Sequence, residues 1–292
     1  MTVFSPLHLI RAHEWSHSFF TTYALSLAFF EGVVLDALIR QNVEHTVVLA
    51  DVAGVRAALA EYGSRCAGRA YEIEPVAVDH GCFHPKLMAL TSKTEGHLVV
   101  GSNNLTFGGW GTNLECVEHL HPAMAADAFE DAAEFLESLV TAPWVKHRVE
   151  QPCMALAAEL RRLAVGHPKT GNIRLLHSLD RPILEQIADL AMDLGGAERL
   201  TLQFQLITCD SVRHSGVVEL VSKVLPLYPT SPFSERALRL PSGPLHFTAT
   251  VTPAGQFVEN PPASNRLSKP ERAAHLTRLR HPVINISDPP YA

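Results

Sequence analysis

From Phe19 to Val100 the chain alternates between short apolar runs rich in β-branched and aromatic residues and segments of helical periodicity, and this order restricts the fold more than any other feature. A strand is predicted over Phe20 to Leu27, a helix over Phe29 to Arg40, a strand over Thr46 to Asp51 and a helix over Val55 to Tyr62. Strands at Ile73 to Val78, Lys86 to Thr91 and His97 to Val100 follow. Such an order builds an α/β domain, a largely parallel or mixed sheet flanked by helices, in which ligands bind beyond strand ends. Ala123 to Val140 and Met154 to Ala164 are rich in alanine, leucine and glutamate with apolar residues at helical spacing, so two more helices are expected there. With 292 residues, 47% of them hydrophobic, the chain can bury one large core or two lobes.

Phe19 to Leu38 has about the length of a bilayer span, but it carries Glu31 and Asp36 and opens with Thr21, Thr22 and Tyr23, which favour a strand. A strand followed by a helix is predicted, and no membrane association. The start, MTVFSPLHLIRAHEW, lacks a basic n-region and an apolar h-region, and five scattered cysteines without a CxxC pair suit a reducing compartment. A cytoplasmic protein is expected. The net charge of −6 supplies no global basic field, so any phosphate polymer has to be held by a local patch.

FHPKLMAL at Phe83 to Leu90 and GSNN at Gly101 to Asn104 place His84 and Lys86 two apart on one predicted strand and Ser102 and Asn104 two apart at the end of the next. Residues two apart on a strand share a face, so an imidazole, an ammonium, a hydroxyl and a carboxamide can converge in a set that suits a tetrahedral anion. The alternative is an ordinary hairpin with polar turn residues, which leaves four costly polar groups beside an apolar run. His80, Cys82 and His84 form a competing HxCxH pattern for zinc, with His97, His119 or His121 as a further ligand, but Lys86 adds bulk and positive charge there. No metal or other cofactor is expected.

The HxK and GSxN spacing resembles the phospholipase D superfamily, whose motif reads HxK, four residues, Asp, then GSxN. His84, Lys86, Gly101, Ser102 and Asn104 match, while Thr91 stands at the Asp position. The tail LTFGGWGTNLE, with Asn113 and Glu115, is similar to that of nuclease-like bacterial members rather than lipid-cleaving ones. The resemblance implies a metal-independent phosphodiesterase, a nuclease cleaving DNA ahead of RNA through a phosphohistidine, and a role in defence against foreign DNA. His84 is then the nucleophile, with Lys86, Ser102 and Asn104 holding the nonbridging oxygens and Glu115 orienting a histidine or lysine.

Family members bring two HxK motifs to a twofold axis, and this chain has one complete copy. LHFTATVTPAGQFVENPPASNRLS, from Leu245, aligns without gaps with FHPKLMALTSKTEGHLVVGSNNLT and pairs His246 with His84 and Ser264 with Ser102, but it puts Thr248 at Lys86 and Arg266 at Asn104. A phospholipase D-like lobe over residues 1–168 and a degenerate or truncated second copy over residues 169–292 are therefore expected, the boundary lying in the linker-like Gly166 to Asn172. The second region ends proline-rich, with more than half of the 20 prolines from Pro226 onward. Either two chains pair their His84 residues across a homodimer, the favoured case, or His246 serves as the acid within one chain. The rival class is a noncatalytic phosphate-binding or nucleic-acid-binding subunit of a larger complex.

Overall fold

The computed structural model describes residues 4–79, 81–113, 115–171, 173–193, 202–205, 248–251 and 257–259. Contacts divide the chain into two units, residues 1–180 and 181–292.

In the first unit α1 (Pro6–Ala12) leads into β1 (His17–Thr22), and a three-part helix returns the chain through α2 (Leu27–Phe29), a π-helical turn at Phe30–Val34 and α3 (Leu35–Arg40). Then come β2 (His45–Asp51), α4 (Val52–Glu61), β3 (Glu72–Val76), β4 (Leu87–Thr91), β5 (Gly96–Gly101) and β6 (Val117–Leu120). Two long helices close the layer, α5 (Pro122–Thr141) and α6 (Glu150–Ala164). The six strands form one mixed sheet in the order β3-β2-β1-β4-β5-β6. β1, β2 and β3 run parallel, because helices cross over between them, while β4 to β6 join by antiparallel pairing.

The central strands are apolar on both faces, as a sheet covered on both sides requires. Phe19, Val47, Leu49, Ala89 and Leu98 pack with α5 and α6, and their alternates Phe20, Val48, Ala50, Met88, Leu90 and Val99 pack with Ile10, Phe30, Leu38 and Val55 from the helices opposite. The ends of β1, β2 and β5 and the entry to β4 consequently meet at one end of the sheet.

Several expectations shift on the structure. β1 begins at His17 and stops at Thr22 rather than spanning Phe20 to Leu27, because the Ala24 and Ser26 amides are captured by Asn104 Oδ1 and the Leu105 carbonyl. β4 begins at Leu87, so His84 and Lys86 lie on the segment that enters the strand and not within it. β6 and α1 were not expected, although Ser5 accepting from the His8 amide and Pro6 at the first helical position are readable start signals. Gly166 to Asn172 is no free linker: Lys169 pairs with Glu130, the Gly171 amide donates to Asp127, and Arg174 grips Asp131 in two-pronged fashion. Ile173, Leu175 and Leu179 add to the core against α5 and α6, which carries the first unit on to Asp180. No helix among the described residues is long and apolar enough to cross a membrane.

Thr91 is fully buried at the far end of β4, and its hydroxyl finds no partner among the described residues. Thr91→Val removes this hydroxyl at nearly constant shape and is expected to stabilise the protein by about 1 kcal/mol. Thermal unfolding checks it; a lower midpoint would show that the hydroxyl is satisfied by solvent.

In the second unit, α7 spans Ile183–Asp193, and β7 (Leu202–Gln205), β8 (Thr248–Val251) and β9 (Phe257–Glu259) form a small antiparallel sheet in that order. β7 falls within the strand-like run Leu200 to Ile207. His246, Ser264 and Arg266 lie outside the described residues.

Candidate active site

His84 is held by its neighbours on either side. The Phe83 amide donates to Asp51 Oδ2 at 2.8 Å while the Phe83 ring is buried, and the Leu87 amide donates to Thr21 Oγ1 at 2.8 Å. Between these anchors the Lys86 carbonyl accepts from the Gly101 amide at 3.2 Å, which sets the segment beside the end of β5. Asp51 serves two elements at once, since its Oδ1 also caps α4 through the Ala53 amide at 2.9 Å. Gly54, in the first turn of α4, lies so close to the Tyr23 carbonyl that a Cβ would stand 2.1 Å from it, so only glycine allows this approach.

Lys86 Nζ lies 3.1 Å from His84 Nδ1 and 3.2 Å from Nε2, and donates to the His84 carbonyl at 3.2 Å. An ammonium is a donor only, so this contact suits a neutral imidazole. Burial and the Lys86 charge lower the His84 pKa, with Asp51 opposing. Burial lowers that of Lys86, with Glu115 and Cys82 opposing. Two basic groups, partly desolvated and pressed together, are relieved by an anion. On the far side of His84 the Tyr23 ring stands 4.9 Å away, centroid to centroid.

The GSNN loop is fixed with equal economy. Asn104 Oδ1 accepts from the Ala24 amide at 3.0 Å and lies 3.3 Å from Thr22 Oγ1, so its orientation is set and its NH₂ group, without a partner among the described residues, is left to donate. Gly109 packs against this backbone, where a Cβ would come within 2.2 Å of the Asn104 carbonyl. Ser102 Oγ donates to Glu115 Oε2 at 2.5 Å and accepts from the Cys116 amide at 3.0 Å. Asn113 Nδ2 donates to Glu115 Oε1 at 3.2 Å. Ser102, expected at a nonbridging oxygen, here turns its one hydrogen to Glu115, whose charge acts on Lys86.

His84, Lys86, Ser102, Asn104 and Glu115 therefore lie at one end of the sheet, while Thr91 sits at the opposite end. Sequence reasoning missed Asp51 and Tyr23. A lone acid closing an apolar strand before a helix is a legible cap signal in Asp51, whereas Tyr23 is recognisable only once β1 is paired with β4. Of the HxCxH pattern, His80 lies outside the described residues, Cys82 is exposed, and Lys86 crowds both ring nitrogens of His84. His97 and His119 lie at the other end of β5, bonded to each other at 2.8 Å.

The titration of His84 follows from this geometry. Its imidazole is expected to protonate below 6.5, and Lys86→Met should move the titration up toward that value by removing the adjacent positive charge. Ring resonances followed by NMR across pH 4 to 8 test this; a wild-type midpoint at or above 6.5 contradicts it.

No family model matches the chain, and no curated protein matches it significantly. Among solved structures, the chain is similar to a phospholipase D family member, Nuc, from Salmonella typhimurium (18% identity, TM-score 0.29, 38% of this chain and 69% of that one). It is also similar to NucT from Helicobacter pylori (10% identity, TM-score 0.28, 39% of this chain and 72% of that one).

Proposed function

We propose that this chain is a metal-independent phosphodiesterase of the phospholipase D type, a nuclease acting on DNA ahead of RNA through a phosphohistidine at His84. The observation that carries it is the contact of the Lys86 ammonium with the His84 ring, clamped at the strand ends where the NH₂ of Asn104 has no partner among the described residues. A nucleophile, a cation and an amide donor are what attack on a phosphodiester demands.

Lys86 and Asn104 neutralise the nonbridging oxygens, and Glu115, held by Ser102 and Asn113, favours the charged form of Lys86 against its burial. A ring nitrogen of His84 attacks phosphorus, the bond to the leaving oxygen breaks, and that oxygen takes a proton from a second imidazole. Water then attacks phosphorus and gives a proton to that second imidazole, while the P–N bond breaks and its electron pair returns to His84. The second imidazole comes from His84 of a second copy of the chain or from His246. Tyr23 lies where it can stack on a base or a sugar next to the scissile phosphate. Preference for DNA rests on the similarity of the GSNNLTFGGWGTNLE tail to nuclease-like members, and a cytoplasmic setting agrees with the free Cys66, Cys82, Cys116 and Cys153.

Turnover of a generic phosphodiester and of single- and double-stranded DNA in EDTA, measured across protein concentration, tests the proposal. Activity per chain that rises with concentration as dimer forms assigns the second imidazole to a second copy, and activity of a chain shown by its solution mass to be monomeric assigns His246. No turnover on any of the three, with phosphate ester still bound, would replace the enzyme with a binding subunit.

A further inference from the structure

At the sheet end opposite His84, three side chains from separate stretches meet: His13 after α1, Glu95 in the turn between β4 and β5, and His97 on β5. One ligand atom from each lies within 4.8 Å of the others. We propose that His13, Glu95 and His97 bind a borderline-soft divalent transition-metal ion of the zinc class, which ties the N-terminal segment to the β4–β5 hairpin.

Two imidazoles and a carboxylate are a donor set zinc accepts, with solvent as the fourth ligand. Tetrahedral bonds of about 2.0–2.1 Å place ligand atoms about 3.3 Å apart, so closure requires only small side-chain movement. His13 Nδ1 already stands 2.9 Å from Glu95 Oε2, and both side chains are part-exposed, at 41% and 44%, so an ion has a way in.

The supports are rigid. The Ser92 amide donates to the Glu95 carbonyl at 2.8 Å, the Glu95 amide donates back to Ser92 Oγ at 3.1 Å, and Arg162 on α6 holds the Ser92 and Lys93 carbonyls. His97 is set by its strand and by His119, whose Nε2 lies 2.8 Å from His97 Nδ1. That bond leaves His97 Nε2 for the ion and supplies the outer hydrogen bond that metal-ligating histidines make. Buried Trp15 walls one side, its ring 5.3 Å from His13 and 5.4 Å from His97. An ordinary His13–Glu95 ion pair explains the first contact but not the gathering of His97, His119 and Trp15 around it.

The test uses the full chain stripped with EDTA and titrated with Zn²⁺ by calorimetry against a competing chelator, then with Co²⁺ by absorbance and tryptophan emission. We expect one ion per chain, a tetrahedral Co²⁺ absorption band, and quenching of Trp15, one of three tryptophans. His13→Ala and His97→Ala should each weaken Zn²⁺ at least about 100-fold, and Zn²⁺ should raise the melting temperature of the wild type but not of these variants. His84→Ala should bind as the wild type does, which separates this site from the proposed active site. No binding by the wild type, or unchanged affinity in His13→Ala, overturns the proposal; that variant alters a part-exposed side chain and keeps it falsifiable if His97→Ala does not fold.

Discussion

His84→Ala is expected to abolish phosphodiester turnover, by about 10³-fold or more in kcat, while leaving the melting temperature within a degree or two. The size follows from the role: a nucleophile that forms the P–N bond has no substitute, and water attacking directly faces the anionic phosphate that the covalent route divides into two lower barriers. The silence in stability follows from the anchors, because Phe83 and Leu87, not His84, carry the hydrogen bonds and buried surface that fix the segment. Lys86→Met should cost less, about 10²-fold, because charge neutralisation is shared with Asn104. Substrate binding to His84→Ala should persist, since Lys86 and Asn104 remain. Initial rates in EDTA, with circular dichroism melts on the same samples, check both halves; residual turnover within tenfold of wild type would remove His84 from the chemistry.

The site was legible because its parts are local. His84 and Lys86 are two residues apart, Ser102, Asn104 and Glu115 follow within one hairpin, and β4 and β5 pair directly, so spacing sufficed to bring them together. What spacing does not encode is the direction of a hydrogen bond. Ser102 carries the right hydroxyl in the right place, yet whether its hydrogen faces a ligand or Glu115 depends on the path of the chain between Asn113 and Cys116. Asn104 illustrates the same gap, since its carboxamide oxygen is taken by Ala24, eighty residues earlier. Asp51 and Tyr23 join His84 only through the order β2-β1-β4, a long-range pairing that no local window contains.

The fold shows the same division. Helices α5 and α6 were readable because their periodicity is long and regular, and β2 because a run of apolar residues with two valines suits a strand buried on both faces. β6 is four residues of mixed character, VEHL, and becomes a strand through its partner β5 rather than through propensity. Gly166 to Asn172 reads as a linker because glycine, proline and polar residues punctuate it, but Lys169 and the Gly171 amide are matched to acids on α5, as is the Leu175 amide just beyond.

A separate ion pair, between β3 and the turn before α6, governs the largest expected loss of stability. Glu74 on edge strand β3 is fully buried, and Arg148, from the 3₁₀ turn at His147–Val149 before α6, donates to its Oε2 at 2.7 Å and to the Ile73 carbonyl. Arg148→Ala leaves a buried carboxylate without its cation and is expected to destabilise by about 3 kcal/mol, at the low end for a broken buried pair because Arg148 is itself half exposed. For a unit of this size that lowers the melting temperature by about 10 °C. The penalty belongs to the stranded charge and not to lost packing, so Glu74→Leu added to Arg148→Ala should recover most of it. A double-mutant cycle from denaturant unfolding decides the matter. Equal destabilisation in the single and the double variant would assign the effect to the bond with Ile73, and a loss under 1 kcal/mol in Arg148→Ala would mean that solvent reaches Glu74 as soon as the arginine leaves.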